Sequence, residues 1–433
     1  MIFKRNNWSA LRRDFEFDPD LLALAEEVEE RVAPQVEAVR ARGERNAVRV
    51  LAAFRRTAPQ SHALAGTTGY GYDDAGREAL DRIYADVFGA EAALVRPQFV
   101  SGTHALATGL FGLLGPGDRL IALGEPYDTI RTVIGDGDPP ARGTLRALGV
   151  TYEVVPLSDN GVPEPSSLYE RLTRPNRGRT VVLLQRSRGY AWRRPLSMDD
   201  LSQIIASIRE LCPDALVFVD NCYGEFVEDR EPPMMGADLC GGSLIKNPGG
   251  GIAPTGGYLV GRRELIEAAA ERLTAPGLGS HVGPTLGLAR TMLQGLFLAP
   301  QVVSQAVAGA IFLACYFEHL GFAVSPRFNE PRSDIIQAVK LGSREAVIAF
   351  CGGIQAASPI DSQARPEPWD MPGYADQVIM AAGTFVQGAS IELSADAPMR
   401  APFAVYVQGG LLAAQVKLAA LTAAQALRAR GLA

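Results

Sequence analysis

The chain has 433 residues, 47% apolar and 21% charged, and a formal net charge of −6. This is the composition of a folded globular protein, and the acidic balance excludes the basic footprint of a nucleic-acid-binding protein. The length exceeds one ordinary core, so two domains are expected. The most apolar long stretch, 295–317, is interrupted by Pro300, Gln301, Ser304 and Gln305. It reads as a buried helix and not as a membrane span, so no membrane partner is expected. The five cysteines (212, 222, 240, 315 and 351) are odd in number and form no CxxC pair. Free thiols in a reducing, cytoplasmic setting are the expectation. Met1–Asn7 lacks the pattern of a signal peptide.

Residues 18–58 carry Leu21, Leu24, Val28, Val32, Val36 and Val39 at helical spacing. The spacing predicts an amphipathic helix that Pro34 breaks or kinks. Glu26–Arg31 reads as its solvated charge face. Residues 1–65 are accordingly set apart as a helical arm. Glycines 66, 69 and 71 then make a loop, followed by a helix from about Gly76 that buries Leu80, Ile83, Tyr84, Val87 and Phe88. A short strand is expected over Glu91–Val95. Ser101-Gly102-Thr103 precedes an apolar helix, His104–Leu114. A helix N-terminus has unpaired N–H groups and partial positive charge, so this loop can cradle a phosphate. Simple N-capping by Ser101 accounts for the same residues equally well.

Strands follow at Leu120–Leu123, Val150–Val155, Val181–Leu184 and Leu216–Val219, separated by helical segments. Apolar strands in that rhythm predict a parallel sheet covered on both faces, with ligands at the carboxyl ends of its strands. Tyr127, Arg186 and Asp220 all fall at such ends. Tyr258–Val260 is a further strand, Glu264–Leu273 a helix, and 284–320 a long apolar helical region broken near Pro300. A large domain over 66–300 and a smaller α+β domain over 301–433 are expected. The smaller one has strands near Asp334–Val339 and in QVIMAAGTF and SIELSADAPMR. It also has a helix at Ser343–Cys351, a polar loop at 358–374 and a closing helix over Gln408–Leu432.

One stretch organises the rest: GGSLIKNPGGGIAPTGG, Gly241–Gly257. The chain has four lysines against 38 arginines, and one of the four, Lys246, sits here among glycines. Lysine can lose its proton, attack a carbonyl and form an imine. Together the order is phosphate loop (101–103), aromatic (Tyr127), strand-end carboxylate (Asp220), then lysine, 26 residues later. Pyridoxal phosphate needs this set: an amine for its aldehyde, an anion cradle, a carboxylate for its pyridine nitrogen and a wall for its ring. Neither GxxxxGK[ST] nor GxGxxG after a strand is present, which argues against a P-loop and a dinucleotide-dependent dehydrogenase.

The stretches GYGYDDAGRE, VRPQFVSGTHAL, GEPYDT, LQRSRGY, VDNCYGEF, GGSLIKNPGGGIAPTGGYLVG and SIELSADAPMR resemble the pyridoxal-phosphate enzymes of Cys/Met metabolism. Among these the chain is similar to the methionine γ-lyase-like family often called aluminium resistance proteins, over roughly residues 66–430. The resemblance implies an α/β fold, the type I transferase fold of aspartate aminotransferase. That fold has a large, mostly parallel seven-stranded sheet domain and a smaller α+β C-terminal domain. It implies that Lys246 binds the cofactor covalently and Asp220 pairs with the protonated ring nitrogen. Ser101, Gly102, Thr103 and Ser243 would hold the phosphate. Tyr127 would stack on the ring and act as acid or base. Tyr70 or Tyr72 would reach a neighbouring subunit's phosphate, in a homodimer or homotetramer with sites at the dimer interface.

Two departures stand out. Better-known relatives carry a carboxylate-binding arginine in a VRLS-like strand, where this chain has Ile391-Glu392-Leu393-Ser394. Arg400 is the substitute expected, although an ordinary salt bridge explains it as well. The neighbouring-subunit arginine near the loop tyrosine is also missing. His104 either lies near the cofactor or is a first-turn helix residue. Arg186 or Arg188 either touches the ring hydroxyl or lies on the surface. Cys222 reads as a small buried residue before a nucleophile. His62, His281 and His319 form no metal spacing, so no metal is expected. The implied activity is carbon–sulfur lysis of a sulfur amino acid, giving a 2-oxo acid, ammonia and a thiol. Aminotransferase, racemase or γ-replacement chemistry is the nearest alternative, and a non-catalytic sensor or scaffold the alternative of another class.

Overall fold

The computed structural model describes residues 15–158, 160–371 and 374–433. The expectation for Met1–Asn7 lies outside these residues. The chain divides into two compact units: one of 44–300 with 332–334, the other of 1–43, 301–331 and 335–433.

The larger unit is built on a seven-stranded sheet. Its strands are β1 (Ala92–Arg96), β2 (Arg119–Leu123), β3 (Thr151–Val155), β4 (Thr180–Gln185), β5 (Leu216–Asp220), β6 (Leu239–Ser243) and β7 (Gly257–Gly261). The order is β1-β7-β6-β5-β4-β2-β3, with β7 antiparallel to both neighbours and the other pairings parallel. Successive side chains alternate between faces. Val181, Leu183 and Phe218 join one core cluster, and Val182, Leu184, Val217 and Val219 join the other. Burial on both faces is why these strands read as continuous apolar runs.

Local signals set the helix starts. Asp74 caps Ala75–Phe88 by accepting the Arg77 N–H, and left-handed Gly89 ends it. Ser101 caps Gly102–Leu113 by accepting the His104 N–H at 3.1 Å. Ser197 and Asp200 form a reciprocal capping box on Met198–Leu211.

The smaller unit carries a five-stranded antiparallel sheet. Its strands are β8 (Ala323–Ser325), β9 (Ile336–Lys340), β10 (Val378–Ala381), β11 (Ser394–Pro398) and β12 (Ala404–Gln408). Helices Arg344–Ala356 and Ala413–Arg428 pack closely because Gly353 has no side chain. A Cβ there would lie 2.4 Å from Ala423 Cα.

Four expectations need correction. Pro34 does not break its helix, which runs from Pro19 to Thr57. Pro300 likewise lies inside one helix, Ala289–His319, whose most apolar window is 72% buried. Each proline forfeits one backbone bond, and burial of the apolar face outweighs that loss. The described residues before 66 are not a separate arm, since the Pro19–Thr57 helix contributes to both units. Within the smaller unit Tyr316 Oη donates to Leu21 O at 3.1 Å; within the larger, Asn46 donates to Phe226 O at 2.9 Å. Last, Ile391-Glu392 is not strand but a 3-10 turn, and β11 begins at Ser394.

Gly353→Leu is expected to destabilise the smaller unit by ~2–3 kcal/mol through overpacking. A lowered thermal midpoint by circular dichroism checks it, and an unchanged midpoint refutes the close helix contact.

Candidate active site

At the carboxyl end of β5 stands Asp220, 8% exposed. Its Oδ1 accepts the Cys222 N–H at 3.1 Å, and its backbone O accepts the Arg186 N–H at 3.0 Å. Beside it β6 ends at Ser243, and a short turn then presents Lys246 ahead of the 3-10 turn Asn247–Gly249. Gly249 is required in that turn because a Cβ would lie 1.7 Å from Leu244 O.

The helix Gly102–Leu113 points its N-terminus at this corner. A Cβ on Gly102 would stand 3.0 Å from Ser243 Cβ and 3.6 Å from Cys222 Sγ. The phosphate-loop glycine therefore touches both strand ends. Ser243 Oγ is buried there with no hydrogen-bond partner among the described residues. A buried hydroxyl without a partner is costly, and at the N-terminus of a helix it suits an anionic oxygen. Ser101 Oγ is already engaged by the His104 N–H, and Thr103 Oγ1 lies 2.9 Å from Thr129 Oγ1. The residues present thus fit a phosphate: first-turn N–H groups plus the Ser243 hydroxyl. They also fit the rest of pyridoxal phosphate, with an amine at 246 and a buried carboxylate at 220.

Lys246 Nζ lies 4.0 Å from the centroid of the Tyr223 ring, a cation–π contact. Burial pulls the ammonium's pKa down, but Cys222, Tyr223, Asp220 and Tyr127 push it up, and the net direction is well above the ordinary lysine value. Burial pushes Asp220 up, with Lys246 opposing. The Cys222 thiol is also driven well up, first by burial and then by Asp220. It is therefore a neutral thiol near pH 7, consistent with a packing role. Tyr223 holds its ring in place with φ +73°, a left-handed backbone costing about 1–3 kcal/mol in a non-glycine residue.

Tyr127 sits at the N-cap of Asp128–Ile134 and donates its N–H to Gln185 Oε1 at 2.8 Å. Gln185 pairs with Asp220 across β4 and β5, so Tyr127 is tied to the same corner. His104 Nδ1 accepts the Val100 N–H at 3.2 Å, and its ring meets Phe99 edge-on at 5.6 Å. Burial lowers its pKa, so it is neutral near pH 7. It has the contacts of a first-turn helix residue.

The surface reading of Arg186 and Arg188 is corrected: both are fully buried. Arg186 donates to Asn221 Oδ1 and to Glu228 Oε1, each at 2.8 Å, and so braces the turn that follows Asp220. The Arg188 N–H donates to Asp334 Oδ2 at 3.2 Å. Tyr70 and Tyr72 are 74% and 59% exposed, their ring centroids 5.7 Å apart. Arg77 pins their loop by donating to Gly71 O and to Gly283 O. Arg400, in the smaller unit, pairs with Asp376 Oδ2 at 2.7 Å. Glu392, which stands where relatives are expected to carry arginine, is 3% exposed and accepts the Phe385 and Val386 N–H groups at 2.6 and 2.9 Å. There it organises its own loop. Among the described residues no group of three or more His, Cys, Asp or Glu could hold a metal ion.

Sequence reasoning did not single out Tyr223, Glu225 or Asn247, because no spacing rule marks them. Their proximity to Asp220 and Lys246 is the only signal. Ser243→Ala removes one hydroxyl from the cradle and is expected to weaken pyridoxal phosphate binding about fivefold, ~1 kcal/mol for one hydrogen bond. Titration by visible absorbance measures it, and unchanged affinity removes Ser243 from the phosphate site.

The profile of the family described as methionine gamma-lyase matches residues 21–428. An uncharacterized protein of Bacillus subtilis (strain 168), YnbB, is 48% identical over 408 residues, covering 94% of this chain and 96% of that one. The crystal structure of a carbon-sulfur lyase involved in aluminum resistance from Clostridium novyi NT superposes with a TM-score of 0.91 at 45% identity, covering 96% of this chain and 98% of that one. The pyridoxal-5'-phosphate dependent protein YhfS from Escherichia coli shares the fold alone, at 18% identity, a TM-score of 0.60 and coverage of 90% and 97%. The type I transferase fold expected from the sequence is therefore the fold of this protein, with its mixed seven-stranded sheet and smaller antiparallel sheet. With a family match over nearly its whole length and a half-identical full-length relative, the chain belongs to the methionine gamma-lyase family.

Proposed function

We propose that the protein is a pyridoxal-phosphate-dependent carbon–sulfur lyase acting on a sulfur amino acid. The observation that carries this reading is that Lys246 feels Asp220 while Gly102 packs against Ser243, three residues before that lysine, in a chain of this family. The described role of the Clostridium novyi relative supports a carbon–sulfur bond as the target. Lys246 would hold the cofactor's aldehyde carbon and Asp220 its ring nitrogen. Ser243 and the first-turn N–H groups after Ser101 would hold its phosphate. When bound, the cofactor supplies the electron sink for chemistry at the amino acid's Cα.

The chain's own residues then have distinct tasks. Cys222, Tyr223 and then Asp220 favour the Lys246 proton in the protein alone, and of these Asp220 is the one expected to engage the ring nitrogen. Once engaged by a cationic ring nitrogen it does so less, and Lys246 Nζ is left closer to neutral. A neutral Nζ can take the proton from Cα. Tyr127, tied to Gln185 at the same corner, is placed to hold or deliver a proton for the departing sulfur. β- or γ-elimination releases the thiol, and hydrolysis by one water then gives the 2-oxo acid and ammonia. Tyr70 and Tyr72, exposed on a pinned loop, are the residues proposed to reach a neighbouring subunit in a homodimer or homotetramer. A cytoplasmic location accords with the free cysteines.

Lys246→Ala is expected to abolish both the visible absorbance of the cofactor-loaded protein and thiol release from sulfur amino acids. Full thiol release by that variant refutes the assignment. Arg400→Ala is expected to raise the KM for the amino acid about tenfold with kcat little changed, the pattern of lost ground-state binding. Unchanged kinetics would leave Arg400 with only its exposed pairing to Asp376.

A further inference from the structure

Glu225 lies five residues past Asp220 and is fully buried. Its Oε1 accepts the Tyr258 hydroxyl at 2.7 Å. Tyr258 stands opposite Gly242 in the β6–β7 pairing. A Cβ at 242 would fall 2.7 Å from Glu225 Oε1 and 2.9 Å from Tyr258 Cε1, so glycine there makes room for the pair. The Glu225 backbone O accepts the Asn247 side-chain N–H at 2.9 Å. Glu225 therefore lies against both flanks of the lysine turn: its carboxyl bonds Tyr258 of β7 across Gly242 of β6, and its backbone O holds Asn247, directly after Lys246.

The other oxygen, Glu225 Oε2, is buried with no hydrogen-bond partner among the described residues. An O–H is tolerated there far better than half of a full negative charge. The surroundings agree. Tyr258 stacks near Tyr84 and Phe88, with centroids 5.7 and 5.1 Å away, and Phe88 meets Phe226 at 6.0 Å. The titratable groups that act on Glu225 or feel it are Tyr258 on β7, Cys240 on β6, Tyr84 on the Ala75–Phe88 helix, Cys222 and Glu231 after β5, and Lys246. Arg49 neutralises Glu231 at 3.2 Å. Burial pushes the Glu225 carboxyl up to about 8, against the opposing pull of the Tyr258 hydroxyl.

We propose that Glu225 is a positioning residue for Lys246: as the protonated acid it locks the end of β6 and the lysine turn, and loss of that proton loosens both. The inference rests on the proposed function for its meaning, because the lysine it positions is the one that holds the cofactor there. The sign of the pH effect follows from proton counts. From about pH 4.5 to about 8 the folded protein keeps a proton that the unfolded chain has lost, so stability contributed by Glu225 falls with rising pH and levels off above.

The test compares the full-length protein with Glu225→Gln, which keeps a neutral side chain of the same shape. Thermal midpoints without added cofactor are measured from about pH 5 to about 9, and pyridoxal phosphate affinity by visible absorbance at both ends. The wild-type midpoint is expected to fall relative to the variant up to about pH 8 and then run parallel. Affinities are expected to match at about pH 5, with the wild type about tenfold weaker than the variant at about pH 9. A constant midpoint difference overturns the inference, as do equal affinities at the alkaline end. Failure of both proteins to take up the cofactor overturns the proposed function instead, and the midpoint comparison still decides whether Glu225 is protonated.

Discussion

Asp220 and Lys246 share a poorly solvated corner, and much of the surrounding architecture serves to keep them there. Charges removed from water are tolerated only when something compensates them. Here Cys222, Tyr223 and Asp220 favour the Lys246 cation, with the Tyr223 ring centroid 4.0 Å from it, and Asp220 accepts the Cys222 N–H. The arrangement is a loaded one. A ligand that brings its own cation to Asp220 would weaken the hold on the Lys246 proton, which is a direct route from binding to reactivity.

Glycine makes that closeness possible. Gly102 lets a helix end approach β6, Gly242 lets β6 lie over Glu225 and Tyr258, and Gly249 lets the chain fold back beneath Leu244. Each is a case of missing side-chain volume and not of unusual backbone angles, since none of the three has positive φ. Flexibility is the wrong word for this glycine-rich stretch; it is a tightly filled corner.

Much of this was legible in the chain itself. β2, β4 and β5 announce themselves as Val/Leu runs because both faces of the sheet are covered. Asp220 and Lys246 stand out because one closes such a run and the other is one of only four lysines. β6 was not legible: Leu239–Ser243 contains two glycines, and a reader scoring strand preference sees a loop. The prolines at 34 and 300 misled in the opposite sense, because local cost was overruled by burial along helices of 39 and 31 residues. The burial of Arg186 and Arg188 could not be read either. An arginine's fate depends on acceptors distant in sequence, here Asn221, Glu228 and Asp334.

The space shared by Gly242 and Glu225 has an evolutionary consequence. Two residues that contend for one volume cannot drift independently. A lineage that acquires alanine at 242 must shorten the acid at 225 or repack Tyr258, and one that loses the acid frees room that a bulkier strand residue can fill. Among diverging descendants these three sites are therefore expected to be inherited as matched sets, with intermediates that mix the sets being rare.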